Sequence, residues 1–224
     1  MLSIKNYKIN RSRRRTLALM ITANGELVAR APTKMPLHYI ENFILQKQSW
    51  INNKLELVRA RIKNSPQKQF IDGENFLYLG KEYKLVIGEY KKIILDENGF
   101  LFFPQKYLPK AKIYLQFWYK KVASEKIAER VRYFADIMCL RYGAIKITSA
   151  KKRYGSCSAK NNLNFTWRLI VAPLWILDYV VVHELAHIIV KNHSRKYWNE
   201  VVKIFPQYKE AKKWLKNNHY FLSC

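Results

Sequence analysis

The chain has 224 residues, of which 49% are hydrophobic, and it contains only seven glycines and seven prolines. This composition supplies enough apolar side chains for a buried core and excludes a disordered, linker-like or collagen-like chain. Lysine and arginine together number 41 against 16 acidic residues, so the formal net charge is +25. A charge of this size attracts polyanions and makes nucleic acid a candidate partner, although solvated lysines spread along the chain explain it equally well.

The cysteine content and the apolar stretches bear on location. The chain has three cysteines, Cys139, Cys157 and Cys224. They include no CxxC pair, which argues against a disulfide framework and against a thiolate zinc cage. The aliphatic stretch at 169–189 contains Asp178 and Glu184, so we do not expect it to span a membrane. No apolar segment of the signal-peptide type stands at the N-terminus, and we expect a cytoplasmic protein.

The first hundred residues predict β-structure around one long helix. Segments 16–21 and 26–30 flank Asn24-Gly25, a dipeptide that favours a tight hairpin turn. Apolar residues at three- and four-residue steps predict a helix from Pro36 to about Lys63. Four short strands of an antiparallel sheet are predicted next, at 76–79, 83–87, 92–95 and 100–103.

Helices dominate the second half of the predicted chain. Pro109 opens a long helix that extends to about Tyr142. Strands are predicted at 145–149 and 163–170, on either side of a polar loop, and a helix begins at Pro173. Shorter helices are predicted at 195–204 and 208–217.

The helix after Pro173 contains His183-Glu184-Leu185-Ala186-His187, an HExxH pentapeptide. Histidines four residues apart are separated by only about 40° around an α-helix, so both imidazoles reach one zinc ion. Zinc lowers the pKa of its bound water, Glu184 takes the proton, and hydroxide attacks a polarised carbonyl. The pattern therefore predicts a zinc metallopeptidase in which His183 and His187 bind the metal and Glu184 is the catalytic acid and base.

A catalytic zinc ion usually has three protein ligands and one open position, so a third ligand is needed. His193 is the best candidate, because Lys191-Asn192 and Ser194 predict a turn that folds the chain back toward the metal. A glutamate on a later helix is the other common solution, and Glu200 and Glu210 are the alternatives.

Other segments carry a resemblance to a known family. The most specific are RYGSCS at 153–158, LNFTWRL at 163–169, LDYVVV at 177–182 and NHSRKYW at 192–198, with RSRRRTL at 11–17. Together with HELAH, these segments resemble the YgjP-like zinc metallopeptidases, a bacterial group related to the SprT-like and Wss1-like (WLM) proteases. The resemblance extends over nearly the whole chain.

The resemblance implies a site and a fold. It implies His193 as the third ligand of one Zn2+ ion, and protein or peptide as the substrate. It also implies an edge strand beside the active-site helix along which a peptide lies, and we assign that strand to 163–169. The candidate substrate-binding residues are Tyr154, Gly155, Asn164 and Arg168.

We therefore predict an α+β fold in a single domain over 1–224. A β-rich N-terminal lobe with one long helix occupies about 1–104, and a helical, zincin-like catalytic lobe with a small antiparallel sheet occupies about 105–224. The spacing of His183, His187 and His193 also equals that of the metzincins, HExxHxxGxxH. Val190 replaces their glycine, which argues against that group and requires a differently built turn.

The basic residues allow an alternative function, and Cys157 allows an alternative role at the metal site. A nucleic-acid-binding protein, or a protease recruited to DNA as the SprT-like proteases are, would use basic residues such as the run at 11–15. Cys157 is expected to be a small packing residue, the alternative being a thiolate that approaches zinc. Tyr197 and Trp198 are expected to pack against the active-site helix, whereas His38 and His219 have no spacing that indicates a site.

Overall fold

A computed structural model describes residues 7–22, 25–64 and 68–218 of the chain. These residues form six α-helices and three small sheets, and the predicted α+β fold class is confirmed. The chain divides into two compact units, Met1–Gln67 and Lys68–Cys224. His219 and Cys224 lie outside the described residues.

The first unit contains a three-stranded sheet and two helices. The strands are β1 (Tyr7–Ser12), β2 (Ala18–Ile21) and β3 (Leu27–Pro32), and the helices are α1 (Leu37–Gln46) and α2 (Gln48–Asn64). In the sheet order β1-β3-β2, β3 pairs antiparallel with β2 and parallel with β1. The predicted hairpin is therefore present, although Asn24 of its turn lies outside the described residues.

The single helix predicted for this unit is two helices separated at Lys47. The backbone of Lys47 leaves the helical region (φ −100°, ψ 14°), and its N–H is shared between the carbonyls of Phe43 and Ile44. The apolar spacing continues across the break, so that Ile44 and Ile51 are both buried in the core of this unit. A spacing pattern records the buried face and does not record a local break in the backbone.

The second unit begins with a four-stranded sheet of mixed direction. Its strands are β4 (Asn75–Tyr78), β5 (Lys81–Gly88), β6 (Ile94–Leu95) and β7 (Phe100–Pro104), in the order β4-β5-β7-β6. The antiparallel sheet that we predicted is correct for the β4–β5 and β6–β7 pairs and wrong for β5–β7, which is parallel. The pairing differs because β5 lies next to β7 and not next to β6, the strand that follows it in the chain. β6 pairs only with β7 and forms the edge of the sheet.

A 27-residue helix, α3 (Ala111–Ile137), follows a 3-10 helix at Gln105–Lys110. It ends before the predicted Tyr142, because Cys139 adopts a left-handed conformation with φ 51°. The N–H of Leu140 then donates to the carbonyl of Ala135, and the N–H of Cys139 donates to that of Asp136. This pair of bonds is a Schellman motif, which commonly ends helices at glycine and is formed here at a cysteine.

The last part of the chain contains the third sheet and three helices. The strands are β8 (Ile145–Thr148), β9 (Gly155–Cys157) and β10 (Leu163–Thr166), and the helices are α4 (Leu174–Ile189), α5 (Arg195–Ile204) and α6 (Tyr208–Asn218). α4 begins directly after Pro173, as predicted, and α5 and α6 occupy the ranges predicted for them to within one residue. Among the described residues, no helix is long and apolar enough to cross a bilayer.

The third sheet corrects the predicted edge strand. Its order is β8-β10-β9, so the strand assigned to 163–169 as the edge is β10, in the middle of the sheet. β10 ends at Thr166, where a 3-10 helix begins. It pairs parallel with β8 and antiparallel with β9, so the sheet is mixed. The segment predicted as a polar loop contains β9, which forms a hairpin with β10. β9 is therefore the edge strand that packs beside α4.

Candidate functional site

Helix α4 carries the HExxH residues. Pro173 precedes its first residue, and the helix is buried along nearly its whole length, from Ile176 to Ala186. Burial outweighs the low helix propensity of the β-branched run at 180–182. Arg130 of α3 donates two hydrogen bonds, of 2.6 and 3.0 Å, to the carboxylate of Asp178 on α4, and these bonds join the two helices.

A turn after α4 brings His193 back to the helix. Val190 is extended (φ −135°, ψ 113°), so the position occupied by glycine in metzincins needs no glycine here. The Val190 carbonyl lies 3.1 Å from Nδ1 of His187. Beyond it, the Lys191 ammonium donates to Oδ1 of Asn161 at 2.7 Å and to the carbonyl of Ser158 at 3.3 Å. These contacts fasten the turn to the loop after β9.

The three histidines present their Nε2 atoms to one point. Nε2 of His193 is 3.2 Å from Nε2 of His187 and 3.3 Å from Nε2 of His183. Two nitrogen ligands of a tetrahedral zinc ion, each about 2.0–2.1 Å from it, are separated by ~3.3 Å. The donor set thus fits one divalent ion. Burial and the neighbouring imidazoles His187 and His193 lower the pKa of His183 to about 3, which keeps that ring neutral and its lone pair available.

Two aromatic residues of α5 support these rings, as predicted. Tyr197 is fully buried, its ring stacks on His187 at 4.5 Å between centroids, and its hydroxyl donates to the backbone carbonyl of His183 at 2.9 Å. The Trp198 ring stacks on His193 at 5.8 Å. The packing role of these residues is predictable from the sequence, whereas the Tyr197 hydrogen bond is not, because it depends on the angle between α4 and α5.

Glu184 is 5% exposed and lies against the backbone of Gly155. Burial raises its pKa to about 8, and Arg153 offsets part of this rise. A Cβ atom at Gly155 would stand 2.5 Å from Oε1 of Glu184, so only glycine leaves room for the carboxylate in this position.

The predicted substrate-binding residues fall in two places. Tyr154 and Gly155 line a cavity of about 240 Å³ together with His183 and Glu184. Asn164 and Arg168 do not line this cavity. Nδ2 of Asn164 donates to Oγ of Ser156, and the buried Arg168 donates to the carbonyl of Ser149.

The alternative metal ligands lie apart from the histidines. Among the described residues, His183, His187 and His193 form the one group of three or more potential ligands that could hold an ion. The Glu200 carboxylate accepts a 2.8 Å hydrogen bond from Lys203. Cys157 has a pKa that burial raises, against a smaller lowering by Lys191, and its Sγ is 3.8 Å from the Lys191 ammonium.

The family model of the YgjP-like metallopeptidase domain matches residues 15–218. The chain belongs to this family. No curated protein matches the chain.

Two solved structures resemble parts of this YgjP-like metallopeptidase. They are the metallopeptidase zymogens abylysin of Pyrococcus abyssi and jannalysin of Methanocaldococcus jannaschii, with 23% and 22% sequence identity. Both matches have a TM-score of 0.38. The match to abylysin covers 40% of this chain and 92% of abylysin, and the match to jannalysin covers 41% of this chain and 95% of jannalysin.

Membership of the family implies a divalent metal and a protein or peptide substrate for this YgjP-like metallopeptidase.

A groove of about 570 Å³, larger than the cavity at Glu184, lies between the four-stranded sheet and α3, and none of the predicted site residues lines it. The cavity at Glu184 also contains residues that sequence reasoning did not select, namely Tyr179, Val180 and Leu215. Tyr179 and Val180 could have been found from their helical spacing to His183 and Glu184, whereas nothing in the sequence signals Leu215.

Proposed function

We propose that this protein is a zinc-dependent endopeptidase of the HExxH type, with His183, His187 and His193 as the zinc ligands. The observation that carries the proposal is the convergence of the three Nε2 atoms at separations of 3.2 and 3.3 Å beside the buried carboxylate of Glu184. A structural zinc site usually fills its fourth position with a protein ligand and needs no carboxylate beside it.

The chemistry is divided between the metal and Glu184. A bound zinc ion supplies a Lewis acid that makes water acidic near neutral pH and polarises a carbonyl. Glu184 accepts the proton of the attacking water and delivers it to the nitrogen of the leaving amine. Glu184 is only 5% exposed, which limits loss of that proton to bulk water before the amide bond breaks.

The substrate main chain is proposed to lie along β9. Hydrogen-bonded and non-bonded residue pairs alternate in an antiparallel ladder. The Tyr154 carbonyl and the Ser158 N–H both bond toward β10, so the N–H and C=O groups of Gly155 and Cys157 point to the open side of the sheet. A peptide that adds to this edge is bound through its backbone. Such binding requires no chain terminus, which supports cleavage of internal bonds.

The nucleic-acid alternative has less support. Arg11, in the basic run at 11–15, donates through Nη1 to the carbonyls of Pro32, Thr33 and Met35, which join β3 to α1. This guanidinium therefore stabilises its own unit. The net charge of +25 remains compatible with recruitment to DNA.

The test combines metal analysis with cleavage. Zinc content and casein cleavage are measured for the wild type, His193→Ala, Glu184→Gln and the control Glu200→Gln. We expect about one zinc per chain in the wild type, its loss in His193→Ala, and its retention without cleavage in Glu184→Gln. Glu200→Gln should equal the wild type. A wild type without metal, or zinc that His193→Ala holds equally well, contradicts the proposal.

The same samples separate direct proteolysis from recruitment to DNA. Casein cleavage is measured with and without single-stranded DNA at increasing salt concentration. Cleavage that needs no DNA supports the peptidase as proposed. Cleavage that requires DNA and falls steeply with salt supports the DNA-recruited protease instead.

A further inference from the structure

The cavity beside Glu184 is built by three separate elements. Its lining comes from the start of β9 and the residue before it, from one face of α4 and from α6, namely Tyr154, Gly155, Tyr179, Val180, His183, Glu184 and Leu215. Because His183 and Glu184 belong both to this cavity and to the candidate active site, a group that enters the cavity stands next to the reacting atoms.

The walls away from Glu184 are uncharged. Although the chain has 41 lysines and arginines, none of them lines the cavity among the described residues. The Tyr154 hydroxyl donates to the backbone carbonyl of Leu215 at 3.2 Å. That bond satisfies the hydroxyl and leaves the ring face of Tyr154, with the side chains of Val180 and Leu215, as apolar wall. Apolar walls favour an apolar guest, because a charged one would lose its hydration without a partner.

The size of the cavity suits a large side chain. Its volume of about 240 Å³ greatly exceeds the ~30 Å³ that one water molecule occupies in the liquid. A peptide along β9 places alternate side chains on the face of the sheet that meets α4. The cavity starts at Gly155, the first residue of β9, so the side chain that enters it belongs to a residue near the scissile bond.

Helix α6 closes the cavity through Leu215, which is 7% exposed. The hydrogen bond from Tyr154 joins residues 61 positions apart and fixes the distance between the start of β9 and α6. Leu215 is the lining residue that α6 contributes, so a change in its size alters the cavity without altering the histidines or Glu184.

We infer that this cavity is the specificity pocket of the peptidase, that it takes a bulky apolar side chain of the substrate residue next to the scissile bond, and that Leu215 sets its size. The inference rests on the proposed function. It defines the substrate class as extended segments with a leucine, phenylalanine or similar side chain at the cleavage site.

Two substitutions of opposite sense test the pocket. Leu215→Ala enlarges it and Leu215→Phe fills it, and the second leaves no void that would threaten folding. Val201→Ala is the matched control, because Val201 is fully buried on α5 and does not line the cavity. Each zinc-loaded variant digests the same library of peptides, and kcat/KM is then measured for matched peptides with alanine, leucine or phenylalanine at the preferred position.

The wild type should prefer leucine or phenylalanine to alanine at one position beside the cleaved bond. Leu215→Ala should raise the phenylalanine-to-leucine ratio of kcat/KM by about tenfold, and Leu215→Phe should shift preference toward alanine by a similar factor. Val201→Ala should keep the wild-type ratios. Cleavage without an apolar preference, or with ratios that neither Leu215 variant changes, overturns the pocket alone. A zinc-loaded wild type that cleaves no peptide overturns the proposed function, and the pocket with it.

Discussion

Gly155 and Glu184 are packed so closely that a Cβ atom at position 155 would meet three atoms of the Glu184 side chain within 2.8 Å. Gly155 has no left-handed backbone conformation, so a strand residue with a side chain would be tolerated at this position if Glu184 were absent. The glycine is therefore explained by the carboxylate and not by a turn. The absence of a side chain at this position of the edge strand thus leaves the space that the Glu184 carboxylate occupies.

Replacing Gly155 by alanine should displace Glu184 without removing the metal. The new methyl group pushes the carboxylate from its position, and loss of a general acid and base lowers kcat by about 10² to 10⁴. Zinc content should stay at the wild-type level, because the histidines are not touched. Elemental analysis and casein cleavage check the two effects, with Ser156→Ala on the same strand as control. Wild-type cleavage in Gly155→Ala would contradict the proposed role of Glu184.

Zinc should stabilise the wild type against unfolding. The three proposed ligands lie on α4 and on the turn after it and come together only when both are folded, so the ion binds the native state in preference to the unfolded chain. At a free zinc concentration of about 1,000 times Kd, the gain is ~4 kcal/mol. Urea unfolding with zinc and with a chelator measures it. His193→Ala should show a much smaller gain, and an equal gain in that variant would exclude His193 as a ligand.

Removal of the Arg130 side of the buried ion pair between α3 and α4 should make the free energy of unfolding depend more strongly on pH. Arg130 and Asp178 are both largely buried, with side chains 18% and 13% exposed. Burial raises the pKa of Asp178, and Arg130 offsets part of that rise. Arg130→Met keeps contact with the rings of Tyr133 and Phe134 but leaves the carboxylate without its partner. A loss of about 3 kcal/mol is expected near neutral pH.

The sign of the pH effect follows from the proton. In Arg130→Met the folded-state pKa of Asp178 rises further, so the folded variant binds a proton more readily than its unfolded chain. Its stability is then greatest below the unfolded pKa of about 3.9 and is lost as pH rises through the higher folded value. The difference in unfolding free energy between wild type and variant should narrow as the pH falls, and urea unfolding at several pH values measures it. A difference that is constant with pH would show that the variant loses packing and not an ion-pair partner.

The sequence predicted the features that depend on local pattern. HExxH on a helix, the turn to His193, the start of α4 and the bounds of α5 and α6 all follow from spacing, from Pro173 and from the residues between the helices. The family resemblance, confirmed over residues 15–218, added the remaining expectations.

The features of the fold and the site that the sequence did not predict depend mostly on contacts between distant segments of the chain. The prediction of β10 as the edge strand is wrong because an alternating pattern does not give the order of strands, and that order places β9 at the edge. Arg168 was expected at the substrate, but its guanidinium is buried and bonded to Ser149. The break at Lys47 and the left-handed Cys139 are local departures of the backbone to which the apolar spacing is insensitive.

Lys191 should act on the metal site through the turn that it holds. Its ammonium bonds to Asn161 and Ser158 and so fixes the segment that carries His193. In Lys191→Met the turn loses these bonds, and partners that orient ligands are commonly worth 10–100-fold in metal affinity. Zinc affinity measured by competition with a chromophoric chelator should fall by about tenfold or more. Lys203→Met is the matched control, since Lys203 makes a surface ion pair with Glu200. An equal affinity in the two variants would mean that His193 keeps its place without Lys191.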